Sequence, residues 1–387
     1  MTVILKTLAY NVTTELTTEL TTELTTELTT ELTTEYQLYT MDFILSCPIP
    51  ISEYPVITMA HGSGGILSHQ LIKKMFMPAF GNDLLAEGHD GAIFEIPAER
   101  LAYTTDSFVV SPVFFPGGNI GDLAVNGTIN DLVCCGAMPL YFSAAFILEE
   151  GFPMEELWNV VVSMKNAADR AGVKIITGDT KVVDRGKGDK IFINTSGIGI
   201  VQEGIRISPR RCEPGDIIII SGKIGDHGIA VMSARSGLEF ETTIKSDTAA
   251  LNGLAGNIFK CTGNIHVLRD PTRGGLATSL NEISTSANTG IIIEEDKIPV
   301  SEEVKAACEI LGLDPLYVAN EGKIIIILPE TEGANVLETL HKHPLGQDAS
   351  IIGRVTDDHP GIVRMTTTIG SSRIIDMLTG EQLPRIC

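Results

Sequence analysis

Residues 191–220 read IFINTSGIGIVQEGIRISPRRCEPGDIIII, and this stretch carries the main information about the fold. IFINTSGIGIV (191–201) alternates apolar with smaller or polar residues, which predicts a strand with one buried face. IIII (217–220) is a short continuous apolar run, typical of a strand buried on both faces. The polar loop SPRRCEPGD (208–216), which contains Pro and Gly, separates the two and indicates a change of domain near residue 205.

The sequence on the N-terminal side of this stretch predicts both strands and a helix. AIFEIP (92–97) and LAYTT (101–105) are read as two strands joined by a short turn through Pro97, Ala98 and Glu99. Helical spacing with one polar break, at Lys165, is shown by Met154, Leu157, Trp158, Val161, Lys165 and Ala168.

The C-terminal side repeats this mixture. It predicts a helix from about Thr272, a strand at KIIIILP (323–329) and a helix after that strand. The expected fold class is therefore α+β, with a first domain at 54–205 and a second at 206–376.

Two segments fall outside these domains. Residues 13–36 read TTEL five times and then TTEY, and on a helix a four-residue period would drift by about 40° per repeat. We therefore expect residues 1–53 to be a low-complexity extension, disordered or weakly helical. The last residues, 377–387, are expected to form a flexible tail that ends in Cys387, because Gly380 gives it freedom while Pro384 stiffens its tip.

Composition excludes several classes of function. The formal charge of −21 argues against nucleic-acid binding, and no apolar run reaches membrane-spanning length. Seven cysteines without a C-x-x-C pair indicate a reducing cytosol. Prenylation is excluded because Pro384, not Cys, is the fourth residue from the end. Adjacent Cys134 and Cys135 are expected to be core residues in the middle of a helix.

Four aspartates stand in Gly- or Thr-rich settings and are the candidate metal ligands. They occur in GHDGA, YTTDSF, TINDLV and LRDPTRGG, and they are Asp90, Asp106, Asp131 and Asp270. Asp90 precedes the first strand of the predicted hairpin and Asp106 follows its second strand, so both should lie at the same end. Carboxylates held together repel, and oxygen ligands select Mg²⁺. Each aspartate taken alone is read as a cap or turn residue.

Glycine-rich segments provide candidate phosphate-binding loops. AHGSGG (60–65), FFPGGNIGD (114–122) and TGDTK (177–181) offer unobstructed backbone N–H groups. The second also opens a helix, whose N-terminus attracts anions. None of them matches a P-loop. Lys181 and Arg273, which lie beside Asp179 and Asp270, could neutralise nucleotide charge or form ordinary surface ion pairs.

Taken together, these motifs resemble a known family over roughly residues 57–387. AHGSGG, TDS, FFPGGNIGDLAVNGTINDLV, FILEEGFPMEEL, TGDTKVV, GDHG, RDPTRGG, ANEGK and the terminal PRIC are similar to HypE proteins. These are the carbamoyl dehydratases of [NiFe]-hydrogenase maturation, within the PurM-like superfamily related to aminoimidazole-ribonucleotide synthetase. The resemblance implies a two-domain PurM-like architecture.

The resemblance also implies a reaction. The carbamoyltransferase HypF would place a carbamoyl group on Cys387, and ATP with Mg²⁺ would drive its dehydration to a thiocyanate. The cyanide would pass to a HypC–HypD scaffold, and the enzyme would be a cytoplasmic homodimer. The expected catalytic residues are Cys387, Glu321 as the base and Lys181 as the partner for the developing charge. The expected nucleotide-binding residues are Gly62, Gly64, Gly65, Asp106, Asn119, Gly121, Asn130, Gly178, Asp179, Thr180 and Arg273.

Three alternatives stay open at this point. Another ATP-dependent enzyme of the superfamily, either selenophosphate synthase or a purine-pathway synthetase, would share the glycine and aspartate motifs. HGSGG lacks the Cys or selenocysteine expected of the first. A thiol-bearing scaffold or redox sensor would show no ATP turnover. Glu321 itself has the alternative reading of a loop carboxylate paired with Lys323.

Overall fold

The computed structural model describes residues 54–62, 66–86, 100–236, 244–377 and 386. The chain divides into two compact units between Pro48 and Ile49, and every described residue belongs to the second. The predicted extension (1–53), the predicted strand at 92–97 and most of the predicted tail lie outside the described residues. So do four predicted site residues, Gly64, Gly65, Asp90 and Cys387.

The first sheet contains four strands in the order β1-β6-β4-β5. They are β1 (Leu101–Phe108), β4 (Ala137–Glu149), β5 (Lys174–Val183) and β6 (Ile191–Val201). β4 and β5 are parallel, and the other neighbours are antiparallel. Helix α4 (Ile120–Cys134) packs on one face of β1, β6 and β4, and α5 (Met154–Ala171) packs on α4. The strands predicted at 101–105 and 191–201 and the helix predicted from Met154 are confirmed.

The second sheet has the order β13-β12-β9-β11-β7-β10-β8. Its strands are β7 (Asp216–Ile220), β8 (Val267–Arg269), β9 (Gly290–Glu294), β10 (Ile325–Pro329), β11 (Ser350–Thr356), β12 (Val363–Thr366) and β13 (Ser372–Ile375). The strands predicted at 217–220 and 323–329 are confirmed, the latter beginning two residues later. Neighbours are antiparallel except β12 and β9, which are parallel.

Helices cover both faces of this second sheet. On one face Ile218 and Ile220 join a core cluster with Leu280 of α8 (Gly275–Ala287), the helix predicted from about Thr272. On the other face Ile217 meets α10 (Glu330–His341), where a Cβ on Gly333 would lie 2.2 Å from its Cδ1. This two-sided packing explains why β7 is apolar at every position rather than alternating.

The remaining described elements connect these layers. The helices are α1 (Ile66–Leu71), a π-helical turn (Ile72–Phe76), α2 (Met77–Phe80), α3 (Asp83–Ala86), α6 (Asp226–Ser236), α7 (Asn252–Cys261) and α9 (Glu302–Leu311). Short 3₁₀ turns are Met59–Gly62, Pro209–Arg211, Glu295–Lys297, Pro315–Tyr317 and Pro344–Gly346. A small two-stranded ribbon consists of β2 (Phe114–Phe115) and β3 (Gly118–Asn119). In the part of the chain that the structure describes, no helix is long and apolar enough to cross a membrane. The division predicted near residue 205 stays a prediction.

The folded unit has begun by Val56, which forms a bridge with Pro153, while the Ile57 N–H donates to the Phe152 carbonyl at 2.8 Å. We therefore expect deletion of residues 1–50 to leave the melting temperature within about 2 °C of the full-length value, because no described core residue is removed. Thermal unfolding of the two purified chains measures this. Loss of soluble expression in the shortened chain would contradict the prediction.

Candidate active site

A carboxylate pair forms where α4 crosses β1. Thr104 and Asp106 lie on the face of β1 that α4 covers, and the Thr104 hydroxyl donates to Asp131 Oδ2 of α4 at 2.8 Å. The helix approaches this closely because residue 127 is Gly: a Cβ there would lie 2.9 Å from the Phe108 ring. The hairpin argument is wrong in one respect, since Asp106 lies inside β1 and not after it.

Asp270, in the loop after β8, joins this pair. The Cys134 thiol donates to Asp270 Oδ1 at 3.8 Å. The expectation that Cys134 and Cys135 sit mid-helix in the core is wrong, because Cys134 ends α4 and Cys135 is its exposed C-cap. Burial, and then the charge of Asp270, raise the pKa of Cys134 well above its usual value. Because the thiolate is the reactive form, Cys134 is a poor nucleophile.

Burial and mutual repulsion both raise the pKa values of these carboxyl groups. Burial, followed by the negative charge of Asp270, raises the pKa of Asp131 to about 7. Burial also raises the pKa values of Asp106 and Asp270. For Asp106, the Ser107 N–H and the positive charge of exposed Arg273 act in the opposite direction. Such a concentration of negative charge is typical of a site that receives a cation.

Glu321 lies at the inner side of this cluster. It is 3% exposed, and its Oε1 atom has no hydrogen-bond partner among the described residues. Burial, and then the charges of Asp270, Asp247, Asp106 and Asp131, raise its pKa well above the usual value. Lys323 does not pair with Glu321; its Nζ lies 3.2 Å from Asp247 Oδ2 instead. The reading of Glu321 as a loop carboxylate paired with Lys323 is therefore wrong.

Hydrogen bonds from both domains hold the Glu321 loop in place. The Glu321 N–H donates to Asp247 Oδ1 at 3.1 Å, and the Asn130 amide donates to the Glu321 carbonyl at 3.0 Å. Asn320 ties the same loop to two others, accepting from the Gly225 N–H at 2.7 Å and donating to the Pro271 carbonyl at 2.9 Å. These hydrogen bonds hold the backbone at Glu321, whereas its side-chain Oε1 atom has no hydrogen-bond partner among the described residues.

The repulsion between the carboxylates can be tested by measuring the free energy of unfolding. A folded-state pKa of about 7, against about 3.9 for a free Asp, means that ionised Asp131 destabilises the fold above pH 7. The penalty disappears as the pH falls from 7 to 4. In a chelating buffer at pH 8, Asp131→Asn should therefore be roughly 2–4 kcal/mol more stable than the wild type. Urea unfolding at pH 8 and pH 4.5 measures the difference.

A matched control is Asp169→Asn, since the Asp169 side chain is 59% exposed. It should change the unfolding free energy little at either pH. Adding Mg²⁺ should stabilise the wild type and so reduce the difference in unfolding free energy between it and Asp131→Asn. Equal stability of Asp131→Asn and the wild type at pH 8 would contradict the repulsion that we infer.

Carboxylate oxygens are suitable ligands for a hard divalent cation, but these three carboxylates do not form a complete coordination site. Among the residues described, no group of three or more His, Cys, Asp or Glu side chains is arranged to hold a metal ion by itself. Mg²⁺ commonly takes only one or two protein carboxylates and completes its shell with water and substrate phosphates. Asp106, Asp131 and Asp270 are suited to that open mode of binding.

A second group of predicted residues lies elsewhere on the first sheet. Gly178, Asp179, Thr180 and Lys181 of β5 line a cavity of about 250 Å³ together with His61. His61 lies in the 3₁₀ turn that ends at Gly62. The Lys181 amine is 3.4 Å from Asp179 Oδ2, and both side chains are 66% exposed. The order β1-β6-β4-β5 separates this group from Asp106 by three strand spacings, about 14 Å. Lys181 therefore does not approach Asp106 within one chain.

Asn119 and Gly121 have structural roles at the start of α4. The Asn119 side chain caps the helix by accepting from the Gly121 N–H at 2.8 Å, and the Asp122 side chain completes a capping box. A Cβ on Gly121 would lie 2.3 Å from the Val160 carbonyl of α5, so Gly121 permits close helix packing. The predicted contact of these residues with a nucleotide stays a prediction.

The end of the chain returns to this site. Ile386 is buried, and its carbonyl accepts a hydrogen bond from His227 Nε2 at 2.8 Å. His227 Nδ1 lies 2.8 Å from the Ser246 hydroxyl, and Ser246 precedes the Asp247 that holds Glu321. The residue after Ile386, Cys387, is covalently attached at this point.

Comparisons with known proteins identify the family of this chain. The family models of the AIR synthase related protein match at residues 88–201 for its N-terminal domain and 213–366 for its C-terminal domain. Carbamoyl dehydratase HypE of Rhizobium leguminosarum bv. viciae is 53% identical over 332 residues, which cover 86% of this chain and 95% of that protein. The chain belongs to the HypE family.

Solved HypE structures share the fold. The crystal structure of hydrogenase maturation protein HypE in complex with ATP superposes with a TM-score of 0.83 at 49% identity, covering 85% of this chain and 99% of that one. The crystal structure of a HypE–HypF complex superposes with a TM-score of 0.71 at 50% identity, covering 81% of this chain and 100% of that one. The α+β, two-domain PurM-like architecture is confirmed. Family membership makes this chain a carbamoyl dehydratase, in preference to a selenophosphate synthase, a purine-pathway synthetase or a thiol scaffold.

Sequence reasoning missed two HypE residues at the centre of the site, Asp247 and His227. His227 lies in GDHG, which contributed to the resemblance without being given a role. Asp247 lies in KSDTAA (245–250), a Thr-containing setting like that of Asp106 and Asp131. The same reasoning applied to that segment would have found it.

Proposed function

We propose that this HypE protein dehydrates a carbamoyl group carried on the Cys387 thiol to a thiocyanate, using ATP. The observation that carries the proposal is the buried contact of Ile386 with His227, one residue before Cys387 and one loop away from Glu321. A carrier presented to its own catalytic base requires the residues next to it to be held by the same part of the protein that holds the base, and the loop of Ser246 and Asp247 contacts both His227 and Glu321.

The reaction needs a leaving group and the removal of protons from nitrogen. In the balanced reaction, R–S–CO–NH₂ and ATP give R–S–C≡N, ADP, phosphate and a proton. The amide oxygen attacks the γ-phosphorus while the nitrogen gives up its first proton, and the P–O bond to ADP breaks. The C–O bond to the new phosphate then breaks while the nitrogen gives up its last proton. Phosphorylation is needed because an amide oxygen is otherwise a poor leaving group.

Glu321 is the group that we assign to take the nitrogen protons at its free Oε1 atom. A raised pKa makes its carboxylate a stronger base than an exposed glutamate. Part of that rise comes from the charges of Asp270, Asp106 and Asp131, so neutralising those charges would bring Glu321 closer to ionisation at neutral pH. Asp247 and Lys323 hold the loop and do not take part in the proton transfer.

Positive charge near the phosphates comes from two sources in this proposal. Mg²⁺, held by Asp106, Asp131 and Asp270, would stabilise the charge on the transferring phosphoryl group. Arg273 is exposed and close enough to lower the pKa of Asp106, so it is suited to binding phosphate oxygens. Gly178, Thr180 and Lys181 would bind the nucleotide from the cavity on β5.

The partners follow from the same chemistry. A solved HypE–HypF complex supports HypF as the carbamoyltransferase that loads Cys387. The product cyanide would be transferred to a HypC–HypD scaffold in the cytoplasm. Since Ile386 is buried, the tail must leave His227 for both exchanges.

A homodimer is supported by the face of the first sheet opposite α4, which is exposed among the described residues. On that face Leu101, Tyr103 and Ile147 are 49%, 67% and 43% exposed. Such apolar exposure is typical of a surface that packs against another protein. If two such faces met with the twofold axis parallel to the strands, β5 of one copy would lie opposite β1 of the other. Lys181 would then lie opposite β1 of the other copy.

The dimer predicts that Tyr103→Asp abolishes both assembly and turnover. A buried, unpaired charge at the centre of an apolar interface opposes association. Light scattering should give twice the 41.5 kDa chain mass for the wild type and 41.5 kDa for the variant. Thr105→Asp changes a neighbouring side chain that is already polar and serves as a milder comparison. A dimeric, fully active Tyr103→Asp would exclude this face as the interface.

Intact mass spectrometry tests the proposed function directly. The protein is incubated with carbamoyl phosphate, HypF, ATP and Mg²⁺, and the mass of the chain is followed over time. We expect a carbamoyl adduct that loses the mass of one water only when ATP is present. An adduct that persists with ATP, or no adduct at all, would overturn the proposal.

A further inference from the structure

His227 is completely buried near the start of α6 and lies between the body of the protein and the end of its chain. Its Nε2 atom lies 2.8 Å from the Ile386 carbonyl and its Nδ1 atom 2.8 Å from the Ser246 hydroxyl. Because a carbonyl oxygen only accepts hydrogen bonds, Nε2 must carry the proton. In the neutral ring Nδ1 is then an acceptor, and the Ser246 hydroxyl donates to it.

The surroundings of His227 fix that arrangement. The Thr248 N–H donates to the Ser246 oxygen at 3.1 Å, and the Ser246 N–H donates to the Pro116 carbonyl at 2.8 Å. These bonds hold Ser246 in place and direct its own proton toward His227. The Phe115 ring packs edge-on against the imidazole, with centroids 5.5 Å apart. Burial lowers the pKa of His227, so the ring is neutral at pH 7.

We propose that His227, oriented by Ser246, is the positioning residue that holds the end of the chain in the dehydration site. The inference rests on the proposed function, because the segment that it holds is the proposed carrier. Ser246 and Asp247 are consecutive, and Asp247 accepts from the Glu321 N–H. One short loop therefore contacts both the holder of the tail and the proposed base.

A single hydrogen bond to a main-chain carbonyl suits a carrier that must also leave. Such a bond is worth about tenfold in a binding equilibrium, which favours the docked tail without trapping it. Because the contact is with main-chain atoms, it does not depend on the chemical group on the Cys387 sulfur. Free, carbamoylated and cyanated tails would all be held in the same way.

The first test measures the exposure of Cys387, not catalysis. His227→Phe keeps an aromatic ring against Phe115 but removes the donor, whereas His227→Gln keeps an N–H near the Nε2 position. We expect iodoacetamide to alkylate Cys387 about tenfold faster in His227→Phe and at nearly the wild-type rate in His227→Gln. Peptide mass spectrometry resolves each cysteine, and exposed Cys261 is the internal reference whose rate should not change.

A wild-type alkylation rate in folded His227→Phe would overturn the proposal. If His227→Phe does not fold, Ser246→Ala decides, because it removes only the group that orients the ring. It should speed alkylation of Cys387 by about threefold, and an unchanged rate would overturn the proposal equally. Rescue by His227→Gln separates positioning from a packing role, since a residue needed only for its bulk would be replaced better by Phe than by Gln.

The second test separates this inference from the proposed function. In a single turnover, His227→Phe should accept the carbamoyl group normally, bind ATP normally and dehydrate the adduct about tenfold more slowly than the wild type. If the wild type itself forms no thiocyanate, the proposed function is wrong. The alkylation rates then still test the contact between His227 and Ile386. If the wild type dehydrates and His227→Phe matches its rate, the positioning role of His227 fails.

Discussion

Glu321→Gln is expected to carry the carbamoyl adduct and keep it. The substitution removes the atom that would take the nitrogen protons while retaining the size of the side chain in its buried position. Loss of a general base typically slows a reaction about 10²- to 10⁴-fold, so dehydration should be at least about 100-fold slower than in the wild type. The measurement is single-turnover mass spectrometry of the adduct after addition of ATP.

The stability of this variant gives an independent check. Since Glu321 is buried among other carboxylates and its Oε1 atom has no hydrogen-bond partner among the described residues, its replacement by the neutral amide should not destabilise the fold. Glu338→Gln is the matched control, because Glu338 is 68% exposed on α10 and paired with Lys342. The control should dehydrate at the wild-type rate. Dehydration by Glu321→Gln at that same rate would assign the base to another residue.

Cys387→Ala is expected to abolish carbamoylation altogether. The thiolate is the nucleophile that would accept the group, and alanine offers no substitute. Because Ile386 and its carbonyl remain, ATP binding should match the wild type. The measurements are adduct mass after incubation with HypF and calorimetric titration with Mg-ATP.

Cys261→Ala is the control for this variant, since Cys261 is another exposed thiol at the end of α7. It should accept the carbamoyl group as the wild type does. Efficient adduct formation on Cys387→Ala, at whatever residue, would remove the C-terminal carrier from the mechanism. If adduct formation moved from Cys387 to Cys261, HypF would be recognising exposed thiols in general.

The sequence by itself determined the elements of this fold and its family. Apolar periodicity is a local property, so the alternation at 191–201 and the run at 217–220 were sufficient to predict β6 and β7. The start of α4 is equally local, because a capping box needs only Asn119 and the residues directly after it. The end of α4 was missed, although Gly136 follows in a left-handed conformation, with φ 77°, that favours glycine. That signal would have placed Cys134 and Cys135 at the helix end.

Only the tertiary structure decided which charged groups meet. Lys323 is two residues from Glu321 in sequence, yet it pairs with Asp247, which comes 76 residues earlier in the sequence. The raised pKa of Glu321 depends on its burial and then on carboxylates that include those of β1, α4 and the loop after β8, and no local pattern encodes their distances. The contact between His227 and Ile386 joins residues 159 positions apart. Side-chain proximity over such separations follows from how whole helices and sheets pack, whereas periodicity and capping depend on a few neighbouring residues.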